Sequence, residues 1–207
     1  DTVTVEVLSD APEMLGLPWG LLPAGGGRLG RLRGVRLRRA WFGAHIQPDD
    51  LAAARAEGRV GVAWSAAGGP VSEAAHIEAL QAACAAAGRP LDLAGDVVPD
   101  ASLEGLIRWL SHAREHRGPV RVLHLLCRAA PLDDGRIGVT LATGPGEPAP
   151  TTVSPELLAR ALAPFADMLK MVVVTACADD PLPQSAWSLL SVGAALHGAG
   201  IGAVVAS

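Results

Sequence analysis

The sequence has few cysteines and no long apolar run, and each shortage excludes a class of protein. Its three cysteines are Cys84, Cys127 and Cys177, and no two of them form a C-x-x-C pair. An odd number of isolated cysteines is typical neither of a disulfide framework nor of a zinc site. No apolar stretch reaches the ~18 residues that a transmembrane helix needs. We therefore expect a cytoplasmic protein with no membrane span, no metal and no cofactor.

The charged residues and the glycine-rich stretches argue against two further classes of protein. Charged residues make up 18% of the chain and its net charge is -4, whereas nucleic-acid-binding domains are usually basic. The stretches "GGGRLG" and "GPG" lack the Gly-Lys-Ser/Thr of a phosphate-binding loop. These features argue against a nucleic-acid partner and leave a nucleotide-binding domain as the weakest alternative.

Length and hydrophobicity predict one folded domain. The chain has 207 residues, of which 50% are hydrophobic, and this is enough for a sizeable core. We interpret residues 1–207 as a single domain. Because the first residue is Asp1 rather than Met, we also expect this domain to be part of a longer protein.

Apolar stretches alternate with helix patterns along most of the chain. We predict strands at 2–9, 34–42, 58–66, 119–127, 170–177 and 201–207, helices at 72–88, 100–116, 154–165 and 185–200, and a looser segment at 135–144. The helix at 154–165 has the clearest start, with Ser154 as N-cap and Pro155 in the first turn. This alternation predicts an α/β fold, with a mostly parallel central sheet and helices on both faces.

Two of the predicted strands end in residue types that are common in catalytic sites. The stretch "RVLHLLCRAAPLDDG" contains His124 and Cys127, and the apolar run of "LKMVVVTACADD" ends on Cys177. Catalytic and ligand-binding residues of parallel sheets lie beyond the carboxyl ends of the strands. A cysteine nucleophile also needs a neighbouring base. Cys177, at a strand tip, is the best candidate for a nucleophile. Cys127 lies within an apolar run and Cys84 among helical alanines, where a buried structural role is typical.

Four motifs, in the same order, resemble a CHAT domain, the caspase-like module of the superfamily of caspases, separases and gingipains. They are "VTVEVLSDAPEMLGLPWGLL", "PVRVLHLLCRA", "MVVVTACADD" and "SLLSVGAALHGAGIGAVVAS", and the likeness covers nearly the whole chain. The resemblance implies a caspase-like three-layer sandwich, a protein or peptide as substrate or regulatory partner, and a role in bacterial defence or cell death. Members of the family continue beyond the last motif, so we expect the domain to be truncated at its C-terminus.

The resemblance also assigns residues to the site. It implies that Cys177 occupies the position of the nucleophile, and that Arg128 and Ala129 stand where the family has its catalytic His-Gly pair. His124 falls on an earlier histidine of the family pattern, and Gly20 replaces a usual glutamate. In caspases the catalytic His precedes the Cys by about 50 residues. Here Arg128 precedes Cys177 by 49 residues (177 − 128) and His124 precedes it by 53 (177 − 124).

The residue at the base position decides whether such a site can work. Arg128 cannot accept a proton, because a guanidinium stays protonated at physiological pH, although its charge would favour the thiolate of Cys177. His124 shares a strand face with Arg128 but lies four residues deeper, about 13 Å by the rise of a strand. A base must approach its proton within about 3 Å. The other histidines have no motif that would place them at the site: His45, His76, His112, His116 and His197.

The resemblance and the missing base together predict an inactive peptidase fold that acts by binding a protein. The alternative is an active cysteine endopeptidase that uses Cys177 with His124 as its base. Four acidic residues follow the two strand tips, where an active relative would recognise a basic residue of its substrate. An ordinary solvated turn explains these residues equally well: Asp133, Asp134, Asp179 and Asp180.

Overall fold

The computed structural model describes residues 3–9, 14, 17, 19–41, 58–65, 73–143, 150–177 and 188–206. The chain divides into two compact units, Asp1–His45 and Ile46–Ser207. Each unit has β-sheet of its own.

The first unit is built on a parallel pair of strands, β1 (Val3–Ser9) and β4 (Val35–Trp41), which confirms both strands predicted for this part of the chain. Between them lies a hairpin of β2 (Pro23–Ala24) and β3 (Gly27–Arg28). The two glycines of its turn have positive φ values of 54° and 82°, as a two-residue hairpin turn requires. None of the side chains described in this unit is buried.

The second unit contains the predicted strands and helices together with several shorter elements. Its strands are β5 (Arg59–Trp64), β6 (Val97–Val98), β7 (Val120–Pro131), β8 (Ile137–Leu141), β9 (Thr151–Val153), β10 (Met171–Cys177) and β11 (Ala203–Ala206). Its helices are α1 (Glu73–Ala86), α2 (Leu93–Asp96), α3 (Leu103–His112), α4 (Pro155–Leu162) and α5 (Ser188–Gly198). Residues 185–187, the predicted start of the last helix, lie outside the described residues.

The seven strands described in this unit form one mostly parallel sheet, as the sequence predicts. The strand order is β11-β10-β7-β5-β6, and each neighbouring pair along this path is parallel. β8 pairs antiparallel with the end of β7, and β9 pairs antiparallel with β8. The central strand is therefore β7, which lies between β5 and β10.

The alternating side chains of β7 give the sheet two different faces. We call positions 122, 124, 126 and 128 the His124 face, and positions 123, 125, 127 and 129 the Leu123 face. On the Leu123 face, Gly61 of β5 lies directly under the indole ring of Trp109 from α3. On the His124 face, the ring of His76 from α1 packs against the ring of His124. Helices thus flank both faces, and the fold is a three-layer α/β sandwich.

The main hydrophobic core lies on the Leu123 face. It joins β7 to α3, α4 and β10 through fully buried side chains: Leu106, Leu110, Leu123, Leu125, Leu158, Leu162, Val172 and Val174. On the opposite face, Cys84 is the one buried residue among the 14 of α1, all of which are described. Among the described helices, α1 therefore buries far less apolar surface than α3 and α4, and apolar burial is the main stabilising term.

Two predictions for the second unit are wrong. The segment 135–144, interpreted as loose, contains the strand β8, in which every residue is buried. Strands covered on both faces show no alternation of polar and apolar residues, so the pattern could not reveal it. β7 also continues four residues beyond its predicted end at Cys127, because residues 128–131 pair with β8.

The start of α4 is as the sequence predicts. The hydroxyl of Ser154 accepts a hydrogen bond from the backbone N–H of Leu157 at 3.2 Å, and Pro155 occupies the first turn. α3 has the same kind of start, with Ser102 accepting from the N–H of Gly105 at 3.0 Å. Within the described ranges, none of the helices is both long enough and apolar enough to cross a membrane.

Candidate active site

The two positions assigned to nucleophile and base lie side by side on adjacent strands. The register of β10 against β7 pairs Cys177 with Arg128, and this is the last pair at the carboxyl end. Neighbouring strands are about 4.8 Å apart, so the two backbones are close enough for direct contact between residues at these positions. The topology therefore brings together the pair that the sequence motifs suggested.

Arg128 lies within β7 rather than in a loop. The expectation that the strand ends before Arg128 is wrong, because β8 continues the pairing there and places Thr140 opposite Arg128. The Arg128 backbone is thus held from both sides, by β10 and by β8, and its side chain is partly buried. The base position is consequently a fixed point of the sheet.

His124 lies deeper on the same face. Its register partners are Val62 of β5 and Val173 of β10, so the neighbouring strands surround it with apolar side chains. The Nε2 atom of His124 is buried, and it has no hydrogen-bond partner among the described residues. Burial, and after it the nearby His76, lowers the pKa of His124 below the ordinary histidine value. His124 therefore packs as a neutral ring four residues, or about 13 Å, below Arg128.

His76 is the neighbour that sequence reasoning missed. Its ring centroid lies 6.3 Å from that of His124, with the two planes inclined by 76° in an edge-to-face contact. The sequence contains no motif that would place His76 at the site. A signal existed, because His76, Leu80 and Cys84 follow one another at spacings of four and so share one face of α1.

The other described histidines lie away from this pair. His112 and His116 stack on one another at the end of α3, exposed, with centroids 4.6 Å apart. The Nδ1 of His197 lies 2.9 Å from the carbonyl oxygen of Ile201, which closes the end of α5. His45 lies outside the described residues.

The two remaining cysteines are both buried. Cys127 is on the Leu123 face and has no exposed surface, and Cys84 is 8% exposed on α1. A thiol without access to solvent cannot meet a substrate. Both placements agree with the structural role that the sequence indicates for these two residues.

The structure describes one of the two predicted acidic loops, the one that follows β7. Asp133 and Asp134 lie in the exposed turn between β7 and β8. Asp134 accepts hydrogen bonds from the backbone N–H of Arg136 at 3.0 Å and from its Nε at 2.8 Å, and these bonds lower the pKa of Asp134. Its carboxylate therefore closes the hairpin turn. Asp179 and Asp180 lie outside the described residues.

Within the ranges that the structure describes, no three His, Cys, Asp or Glu residues come close enough together to hold a metal ion. The reactive groups at and below this edge are the thiol of Cys177, the guanidinium of Arg128 and the imidazoles of His124 and His76.

Comparison with known proteins adds no family to this picture. No protein-family model matches the chain, and no curated protein is significantly similar to it. The resemblance to CHAT domains thus stays a prediction that depends on the four motifs.

Proposed function

We propose that this chain is a caspase-like module whose peptidase centre is silenced and which binds a protein or peptide at the carboxyl edge of its sheet. The observation that carries the proposal is the register of β10 on β7, which sets Cys177 opposite Arg128. A nucleophile position and a base position on adjacent strands support the family resemblance. The residue at the base position argues against turnover. A cytoplasmic location is part of the same proposal.

The chemistry of peptide cleavage explains why Arg128 would silence the site. A cysteine peptidase needs a base that removes the thiol proton and then delivers a proton to the leaving amine. A guanidinium can favour the thiolate by its charge, but it neither accepts nor donates that proton. Loss of one member of such a catalytic set lowers the rate by several powers of ten.

His124 is the only alternative base suggested by the motifs, and two observations disfavour it. It lies about 13 Å below Arg128 along the strand, and its Nε2 is buried against other parts of the fold. A base must be within hydrogen-bonding distance of the proton that it takes. The active endopeptidase with His124 as base is therefore the weaker candidate.

A thiol-reactive peptide probe tests the proposal directly. The chain is incubated with a peptidyl chloromethyl ketone that carries arginine next to the reactive group, and intact mass spectrometry follows labelling. We expect slow labelling of Cys177, no cleavage of the matching fluorogenic peptide, and reversible binding of the unreactive peptide amide by fluorescence anisotropy. Cys177→Ala is the control for the site of labelling. Rapid labelling of Cys177 together with peptide cleavage that Cys177→Ala abolishes would contradict the silenced site, and absence of peptide binding would contradict the binding role.

Arg128→His tests whether position 128 is the base position. We expect the substitution to accelerate labelling of Cys177 by about 100-fold, the lower end of the range for general-base catalysis. The rate should also acquire a pH dependence with a midpoint near the ordinary histidine value, about 6.5. The matched control is Arg128→Gln, which removes the charge without supplying a base. An equal gain in both variants would place the base elsewhere.

A further inference from the structure

Two exposed histidines lie four residues apart at the C-terminal end of α3. The helix ends at His112, and Ala113–Arg117 continue it as one π-helical turn that contains His116. The ring centroids of His112 and His116 are 4.6 Å apart, and the ring planes are inclined by only 21°. Both side chains are exposed. The two rings are therefore accessible to a ligand from solvent, and the core does not hold them in place.

The π turn explains why the two rings lie over each other. In an α-helix of 3.6 residues per turn, side chains four positions apart are neighbours but are offset around the axis by about 40°. A π turn closes its hydrogen bonds between residues five apart and therefore holds more residues, which reduces this offset. Such turns within helices are frequent at functional sites. The helix thus departs from regular geometry at the place where it aligns His112 with His116.

The ring of His116 is oriented with one lone pair available to a ligand. Its Nδ1 lies 3.3 Å from the carbonyl oxygen of His112. A carbonyl oxygen only accepts hydrogen bonds, so this contact places the proton of the neutral ring on Nδ1 and the lone pair on Nε2. Histidines that bind metal ions typically donate their second ring N–H to a carbonyl or a carboxylate, which fixes the ring orientation. The backbone of α3 therefore orients His116 to bind a metal ion through Nε2.

The separation of the two rings suits one shared metal ion. A histidine nitrogen binds zinc at about 2.1 Å, so two nitrogens on one ion are no more than about 4.2 Å apart. The ring centroids are 4.6 Å apart, and rotation about the side-chain bonds of two exposed residues closes the remaining difference. The i, i+4 spacing is also the one at which the helix of an H-E-x-x-H motif supplies two zinc ligands. The pair can therefore chelate an ion without movement of the backbone.

The charges around the pair favour a bound cation. The carboxylate of Glu115 lies 3.8 Å from Nδ1 of His116, and the C-terminal end of a helix carries a partial negative charge. Each arginine of α3 and its π turn forms an ion pair with a carboxylate: Arg108 with Glu104, Arg114 with Asp167 and Arg117 with Asp92. A cation at the two rings therefore meets the carboxylate of Glu115 and arginines whose charge is already compensated.

We propose that His112 and His116 bind a divalent transition-metal ion of the Zn²⁺, Ni²⁺ and Cu²⁺ class at the C-terminal end of α3. Imidazole nitrogens suit these ions, whereas Mg²⁺ and Ca²⁺ prefer oxygen ligands. The chain supplies two ligands, and water fills the other coordination positions. The site uses no thiol, so it differs from the zinc sites that the cysteine pattern argues against. It also needs fewer ligands than the three-residue clusters that are absent from the described residues.

This metal site is separate from the candidate active site. The π turn leads through Gly118 and Pro119 directly into β7, so the histidine pair lies near the amino end of that strand. Cys177 and Arg128 are paired at the opposite, carboxyl end. The proposal therefore does not depend on the proposed function, because it needs neither Cys177 nor a substrate.

Isothermal titration calorimetry with NiCl2 tests the proposal on the full chain, produced without a histidine tag. Ni²⁺ is the probe because imidazole suits it, whereas Zn²⁺ is also selected by thiolates. We expect one saturable site per chain. His112→Gln and His116→Gln should each weaken binding by about 100-fold, the lower end of the gain from linking two ligands. MgCl2 should show no saturable binding.

The other histidine pair supplies a matched control. His76→Gln removes one ring of the pair formed with His124, and it should leave Ni²⁺ binding unchanged, as should Cys177→Ala. Because His112 and His116 are exposed, their variants should melt like wild type without metal. Absence of saturable binding to the wild-type chain would overturn the proposal. So would binding that persists unchanged in both His112→Gln and His116→Gln, or an equal loss in His76→Gln or Cys177→Ala.

Discussion

At the scale of single residues, the close approach of α3 to β5 depends on the absence of a side chain at Gly61. Gly61 lies in β5 on the Leu123 face, and a Cβ atom at this position would overlap the six-membered ring of Trp109. That ring cannot turn aside freely, because its Nε1–H donates a hydrogen bond to the carbonyl oxygen of Gly95 at 3.1 Å. α3 therefore packs against β5 only while position 61 has no side chain.

Gly61→Ala should consequently destabilise the chain. We expect a loss of about 1–3 kcal/mol in the free energy of unfolding, the usual cost of overpacking a core, measured as a lower midpoint of urea denaturation. The matched control is Gly193→Ala in α5, where the nearest atom to a new Cβ is 3.9 Å away. Within a helix this change should be neutral or stabilising by about 0.5–1 kcal/mol. Equal midpoints for wild type and Gly61→Ala would show that Trp109 moves without cost.

At the scale of elements, local signals decide which parts of the fold the sequence can predict. Ser154 and Pro155 predicted the start of α4, because capping needs only neighbouring residues. β8 gives no signal because all its residues are buried and the glycines at and before it, Gly138 and Gly135, are typical of a loop. β7 was predicted too short because its last residues are strand only through their pairing with β8. Elements that depend on a distant partner carry no local pattern of their own.

Ser154→Ala tests how much the N-cap of α4 contributes. The substitution removes the acceptor for the backbone N–H of Leu157, and we expect the free energy of unfolding to fall by about 1 kcal/mol. The matched control is Ser111→Ala in α3, where the hydroxyl donates to the carbonyl oxygen of Ile107 within the helix. Such a bond adds little to helix stability, so this variant should differ from wild type by less than about 0.5 kcal/mol. Urea denaturation of both variants makes the comparison, and an equal loss would assign no special role to the cap.

At the scale of the whole molecule, topology explains which parts of the candidate site could be foreseen. Cys177 and Arg128 could be placed together from the sequence, because the carboxyl ends of parallel strands share one edge of a sheet. The contact of His76 with His124 could not, because it depends on which face of α1 meets the sheet. The interpretation of residues 1–207 as one domain stays a prediction, beside the division of the chain into two compact units.

The distribution of buried residues predicts that the second unit folds alone. All hydrophobic residues described as buried lie between Val62 and Ile201, whereas the first unit pairs β1 with β4 and buries none of its described side chains. An isolated two-stranded sheet is marginal in water. We therefore expect residues 46–207, produced separately, to keep a cooperative urea transition, and residues 1–45 to show none by circular dichroism. If residues 46–207 unfold without cooperativity while the full chain keeps a single transition, residues 1–207 are one cooperative domain and the first unit contributes to its core.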